Sequence, residues 1–201
     1  MDPITKLLGG TQRVRLLRLF FFNPEVTFDR DTAAKRVRST PAATGKHLTA
    51  LTRMGLLKKR TVSVSVHRRG KQVKKRVPGF LADTRAPHAT LLRDFLQATL
   101  SVSADELIKS RRPPARLRLV VLSGFFVGAW DRRLDLLLVA DRVNEEELGK
   151  AVGRLEADLG RELAFAVLSP EDYRFRQSIQ DRLLRDVFDY EHVTILDRIS
   201  L

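Results

Sequence analysis

The sequence predicts an α+β protein built from two modules with a helical connector between them. Three observations lead there. Residues 31–77 pass from two short, well-punctuated helical stretches into a run of valines that alternate with polar residues. Beyond residue 115, apolar runs of strand length recur, separated by turn and helix signals. Charge is also divided along the chain. Residues 1–83 carry 19 Lys/Arg against 5 Asp/Glu, a net of +14, whereas residues 117–201 carry 12 against 16, a net of −4. A chain of 201 residues accommodates one large core or two small ones, and this asymmetry favours two. The boundaries read from composition are a first domain over 1–83, a connector over 84–114 and a second domain over 115–201.

Each element follows from local signals. Thr11 is expected to cap a helix from Gln12 to about Phe22, with Val14, Leu17, Leu19, Phe20 and Phe21 facing inward and Asn23-Pro24 stopping it. Val26–Phe28 is short enough for a small strand. Asp31 is expected to cap the next helix, which packs through Ala33, Ala34 and Val37. Ser39-Thr40-Pro41 opens another helix: the Thr40 hydroxyl can accept from a free N–H of the first turn, and Pro41 sits where its missing N–H costs nothing. Gly55 stops it at the position that favours a left-handed residue. Leu48, Leu51 and Met54 fall on one face of this helix, with Thr40, Ala42, Ala43, Lys46 and Arg53 nearer the other. Val62, Val64 and Val66 then alternate with Thr61, Ser63 and Ser65, the period of a half-buried strand. Arg68-Arg69-Gly70-Lys71 is the turn, Val73–Val77 the return strand, and Pro78-Gly79 the expected end of the hairpin.

Two helices, a tight turn and a basic hairpin in this order resemble a winged helix-turn-helix. The resemblance implies a second helix seated in the DNA major groove and a hairpin lying against the backbone or minor groove. Thr40, Lys46 and Arg53 are then candidates for the groove and its flanking phosphates, and Ala42 and Ala43 for thymine methyl groups. Arg68, Arg69 and Lys71 place three cations on the hairpin turn, suited to phosphate contact. Gly45 costs about 1 kcal/mol against alanine inside a helix; it either permits close approach to the DNA backbone or is simply tolerated.

The connector reads as a loop over Phe80–Pro87 and a helix over His88–Leu100, apolar at Leu91, Leu92, Phe95, Leu96 and Leu100. That broad apolar face suits either a dimer interface or core between the domains. Ser103–Glu106 is a capping box for a further helix to about Ser110, and Arg111–Pro114 is the clearest break.

After the break the pattern alternates. Leu117–Ser123, Leu134–Ala140, Glu162–Leu168 and Val193–Leu196 read as strands. Asn144–Glu147 opens a helix reaching Gly160, and Ser169–Asp172 begins a final helical region. Leu122–Gly128, Leu134–Val139 and Ser169–Tyr173 in this setting resemble the minimal nucleotidyltransferase-like domains, some of which follow a winged helix. Such an active site needs a Gly-Ser turn to cradle phosphates and Asp-x-Asp on the next strand to hold magnesium. Here Gly124 matches the glycine and Asp135 the first aspartate, but Phe125 stands at the serine position and Leu137 at the second aspartate. Ser123 precedes the glycine instead of following it, and Ala164–Val167 offers no third carboxylate. Gly124 and Asp135 are thus a degenerate nucleotide site, with Asp135 hydrogen-bonded or solvated at a strand edge. Phe125, Phe126 and Trp130 either fill the old cleft or leave a small effector pocket.

Several classes are disfavoured. No cysteine is present, so disulfides and thiolate metal sites are out, and a reducing compartment is suited. His47, His67, His88 and His192 have no ligand-like spacing. Leu119–Trp130, the most apolar run, is too short to span a bilayer. The expectation is therefore a non-enzymatic, sequence-specific transcriptional regulator, cytoplasmic, prokaryotic and nucleoid-associated, with no catalytic residue, cofactor or metal. Its partners would be double-stranded DNA, a second copy of itself in a homodimer, and a small-molecule or nucleotide effector, with no membrane. Two alternatives are an active magnesium-dependent nucleotidyltransferase targeted by its winged helix, and an antitoxin-like protein-interaction module.

Overall fold

The computed structural model describes residues 3–68, 71–100 and 115–199. The chain is mixed α+β and divides into two compact units. One comprises the chain through Thr99 together with Ala157–Arg161; the other runs from Leu100 to Glu156 and from Glu162 onward. The stretch expected as a connector is thus divided at Leu100. The helix expected over 103–110 lies outside the described residues.

The first unit begins with α1 (Pro3–Leu7) and α2 (Thr11–Phe21). Thr11 is not the cap of α2: Gly10, at φ +114°, holds that position, and its carbonyl receives Arg13 N–H and Val14 N–H. The chain arrives from α1, which the sequence pattern did not signal. Gly9 and Gly10, both at positive φ, return their N–H groups to the Lys6 and Thr5 carbonyls. α2 is buried along nearly its whole length from Val14 to Phe21. Phe20 meets Phe28 edge-on at 5.6 Å. Buried Arg18 donates from Nη2 to the carbonyl and hydroxyl of Thr99.

β1 (Phe28–Asp29) leads into α3 (Arg30–Arg36), whose cap is Asp29, not Asp31. One Asp29 carboxylate oxygen accepts from Asp31 N–H at 2.9 Å and Thr32 N–H at 3.1 Å. Burial alone would raise the Asp29 pKa. The Thr32 hydroxyl and these backbone donors outweigh it and hold the carboxyl below its ordinary range. Asp31 is exposed in the first turn, because pairing of β1 with β3 starts the helix two residues earlier than the sequence suggested. Ala33, Ala34 and Val37 are buried as expected. Arg38 N–H and Ser39 N–H bond back to Lys35 and Ala34, with Arg38 at φ +53°.

α4 (Pro41–Arg53) follows at once. Thr40 caps it by accepting from Ala43 N–H, Pro41 opens it, and Gly55 at φ +75° ends it. Leu48 and Leu51 are buried, but Met54 is 59% exposed. Met54 is the residue after the last helical turn, at the C-cap, beyond the buried part of the apolar stripe.

β2 (Leu57–Arg68) and β3 (Lys71–Ala82) pair antiparallel over their full length, from Leu57↔Ala82 to Arg68↔Lys71. β1 adds to β3, giving the order β1-β3-β2. Pro78-Gly79 does not end the hairpin, and Phe80–Ala82 is strand instead of connector. Proline is tolerated because β1 stops opposite Gly79, leaving an open edge beside Pro78. Gly79 is needed for close approach, since a Cβ there would lie 2.6 Å from Thr27 Cγ2. α5 (Ala89–Ala98) follows; it buries Leu96 and leaves Leu91 exposed.

The second unit is a four-stranded sheet in the order β6-β5-β4-β7. β4 (Arg116–Leu122) pairs antiparallel with both β5 (Leu136–Asp141) and β7 (Val193–Asp197), and β5 pairs parallel with β6 (Phe165–Leu168). A 3₁₀ turn, Gly124–Val127, follows β4. α6 (Glu145–Leu159) connects β5 to β6, the crossover that a parallel pair requires. Asn144 accepts from Glu147 N–H at its start. α7 (Pro170–Ser178), capped by Ser169, and α8 (Arg182–Phe188) cover one sheet face. Their Tyr173, Leu184 and Val187 join Leu119, Val121, Leu137 and Val139 in one apolar cluster.

Candidate nucleic-acid interface

The exposed side of α4 is a stripe. Ala42, Lys46, Thr49 and Arg53, spaced four, three and four residues apart, are all exposed, and Thr40 is exposed at its head. Ala43 is half-buried. Thr49 belongs to this stripe but was missed in the sequence, although its spacing from Lys46 could have found it; its hydroxyl donates to the Gly45 carbonyl at 2.9 Å. Gly45 is half-buried. A Cβ there would meet only the flexible end of Arg30, at 3.4 Å, so the position tolerates a side chain.

Beside α4 stands the hairpin. Residues 57–82 contain nine Lys/Arg and no Asp/Glu. Register decides where these charges go. Ser63↔Arg76 and Ser65↔Lys74 share one exposed face, whereas Val62↔Val77 and Val64↔Lys75 share the other, on which the three valines are half-buried and Lys75 is exposed. Val64, Lys75 and Val77 form one wall of a cleft of about 510 Å³ whose opposite wall includes Gly45, Leu48 and Thr49 of α4. Of the hairpin cations, Lys58 is neutralised by Asp83 at 2.6 Å. That hydrogen bond lowers the Asp83 pKa. Lys59, Arg60, Lys74, Lys75 and Arg76 meet no carboxylate among the described residues. The sequence points to Arg68, Arg69 and Lys71 at the turn. Arg68 and Lys71 are the last paired residues, and Arg69 lies outside the described ones. The basic strands below them were the larger signal, visible only once register assigned each cation to a face.

The second constellation has a different chemistry. Asp135 is 4% exposed, and both of its oxygens are taken. Oδ1 accepts from Phe125 N–H at 2.8 Å and Oδ2 from Ala164 N–H at 3.0 Å. Ser123 Oγ donates to the Leu134 carbonyl at 2.7 Å. Asp135 therefore ties the turn after β4 to the approach of β6, and it is hydrogen-bonded and buried instead of solvated. Gly124, at φ +52°, sits so close that a Cβ would fall 2.6 Å from Asp135 Oδ1 and 2.7 Å from the Leu134 carbonyl. Phe125 is fully buried, with its ring edge-on to Phe126 at 5.8 Å and Trp130 at 5.0 Å. Leu137 is fully buried in the apolar cluster beneath α7 and α8. Among the described residues no group of three His, Asp or Glu side chains is placed to hold a metal ion, and no helix is long and apolar enough to cross a membrane.

No family model, curated protein or solved structure matches this chain.

Proposed function

We propose that this protein is a sequence-specific DNA-binding regulator of transcription. In this reading the first unit is a winged helix-turn-helix, and the second is a nucleotidyltransferase-like domain that has lost catalysis and serves effector sensing or dimerisation. The single observation that carries the reading is the exposed α4 stripe standing beside a nine-cation hairpin without a carboxylate. An α-helix presenting Thr40, Ala42, Lys46, Thr49 and Arg53 has the width and the donors to read major-groove edges. The uncompensated hairpin cations supply phosphate neutralisation. Arg38 supports the same reading: it precedes the α4 cap and keeps a cation at φ +53°, where glycine would be less strained.

For the second unit, the support is what stands where catalysis would need donors. Asp135 spends both oxygens on backbone N–H groups, and Leu137 occupies apolar core. A divalent ion held through one or two carboxylates would meet one buried, hydrogen-bonded Asp135 and an apolar Leu137.

Selection of sheared genomic DNA on the purified protein at about 0.15 M salt, followed by sequencing, tests the reading. Enrichment of a short inverted repeat is expected, read by a homodimer. Lys46→Ala and Arg53→Ala should weaken that site more than random DNA, whereas Lys74→Gln should weaken both alike. Uniform recovery of all sequences would overturn sequence-specific regulation.

A further inference from the structure

A second charged feature lies in the sheet unit, away from the Gly124–Asp135 turn. Arg116 and Arg118 open β4, Arg142 follows β5, Arg174 is in the second turn of α7, and Arg198 follows β7. These five arginines line one cleft of about 810 Å³. Strand register explains their convergence. Arg116 pairs with Asp141 across β4 and β5, and Arg198 N–H donates to the Arg118 carbonyl at 2.7 Å, so three strand ends meet there. Gly124 follows the other end of β4. The cleft is thus about 20 Å from the degenerate turn, six residue pairs along the ladder.

The charge balance is what calls for a ligand. Among the described residues two carboxylates line the cleft, Asp141 and Glu171. Asp141 is committed to Arg118 at 2.7 Å. The side chains of Arg116, Arg142, Arg174 and Arg198 are exposed and make no ion pair among the described residues. Four guanidinium groups therefore face one remaining carboxylate, in a part of the chain that is otherwise net negative. Arg142 is held at φ +50°, a conformation that glycine or asparagine would adopt with less strain. The α7 N-terminus adds nothing to this count, because Ser169 and Asp172 already satisfy one another.

We propose that this cleft binds a small molecule carrying at least two linked phosphates, of nucleoside di- or triphosphate size. Planar guanidinium groups grip phosphate oxygens in pairs, and several converging on one cleft match a chain of phosphates better than a single anion. The volume lies in the small-molecule range. Ala140, Pro170 and Ile199 supply an apolar wall for the rest of the ligand. Nucleic acid fits less well, since a duplex would extend past the cleft onto a net acidic surface. The proposal rests on the effector role given above to the second unit, and names its place and ligand class. It does not depend on DNA reading by α4.

Calorimetric titration of the full chain with sodium pyrophosphate and with ATP, at about 0.15 M salt, tests it. Three variants are compared: Arg116→Gln with Arg198→Gln, Arg174→Gln alone, and Lys74→Gln with Lys75→Gln and Arg76→Gln. The arginines are exposed and unpaired, so the first two should fold, which circular dichroism checks. Saturable binding with Kd below about 1 mM is expected. It should weaken about tenfold or more in both arginine variants and persist in the hairpin variant. Tighter binding of ATP than of pyrophosphate would place a nucleoside on the apolar wall; equal binding would make phosphate the whole determinant. Absence of saturable binding, or its loss in the hairpin variant instead, overturns the proposal. Retention of DNA binding by the arginine variants, measured alongside, separates the failure of either reading from that of the other. Loss of DNA binding there without any pyrophosphate binding would make the cleft a nucleic-acid surface and also overturn the proposal.

Discussion

At the scale of single residues, hydrogen-bond accounting explains more than residue type. Asp135 has the identity of a metal ligand, but its two oxygens are occupied by the Phe125 and Ala164 N–H groups. Asp135→Asn presents an amide donor to one of those donors and should cost about 1.5–3 kcal/mol in urea unfolding. A loss under about 0.5 kcal/mol would show that the clamp is unimportant. Thr44 is the opposite case: it is fully buried in α4, and its hydroxyl has no hydrogen-bond partner among the described residues. Thr44→Val keeps the shape and removes the orphan group, so thermal unfolding should move upward by the equivalent of about 1 kcal/mol. His47, on the same helix, has its pKa lowered, first by burial and then by the Arg13 charge. Between that lowered value and 6.5 the unfolded chain binds more protons than the folded one. Stability from this group is therefore complete above 6.5 and declines as pH falls toward the folded value. Comparing wild type with His47→Gln at about pH 5 and about pH 7.5 should show the smaller acid-side loss in the variant.

At the scale of elements, helix ends and strand register decide what is presented. α4 is specified locally at both ends, by Thr40-Pro41 and by Gly55. Inside it, Gly45 weakens the helix backbone, beside the buried hydroxyl of Thr44. Because the space at Gly45 is open apart from Arg30, Gly45→Ala should stabilise the protein by about 0.5–1 kcal/mol. DNA affinity measured on the same variant tells whether the glycine also serves close approach: an unchanged value assigns it no role there. The hairpin is less local. Its valine alternation was legible, but its length was not. Pro78-Gly79 reads as a terminator in isolation, and only the position of β1 allows the strand to continue to Ala82. The cap of α3 moved from Asp31 to Asp29 through the same β1 pairing. In both places a long-range partner displaced the reading that nearest neighbours favoured.

At the scale of the whole molecule, the division of charge along the chain is the property with the broadest consequence. If the hairpin neutralises phosphates, log affinity for DNA should fall steeply with log salt, and Lys74→Gln, Lys75→Gln and Arg76→Gln together should flatten that slope by about 2–3. A slope unchanged in the triple variant would show that these strands do not touch the backbone. The sequence by itself determined the mixed α+β class, the basic character of the first 83 residues, the location and caps of α4, and the alternation of strands after residue 115. Each depends on neighbours within a few residues, where proline, glycine, cap hydroxyls and hydrophobic period act directly. Tertiary structure alone decided which face of the hairpin carries Lys74 and Arg76, that Asp135 is a buried clamp, and that Arg116, Arg142, Arg174 and Arg198 share one cleft. Those facts join residues far apart in the chain, and their energies exist only after strands have paired and loops have closed.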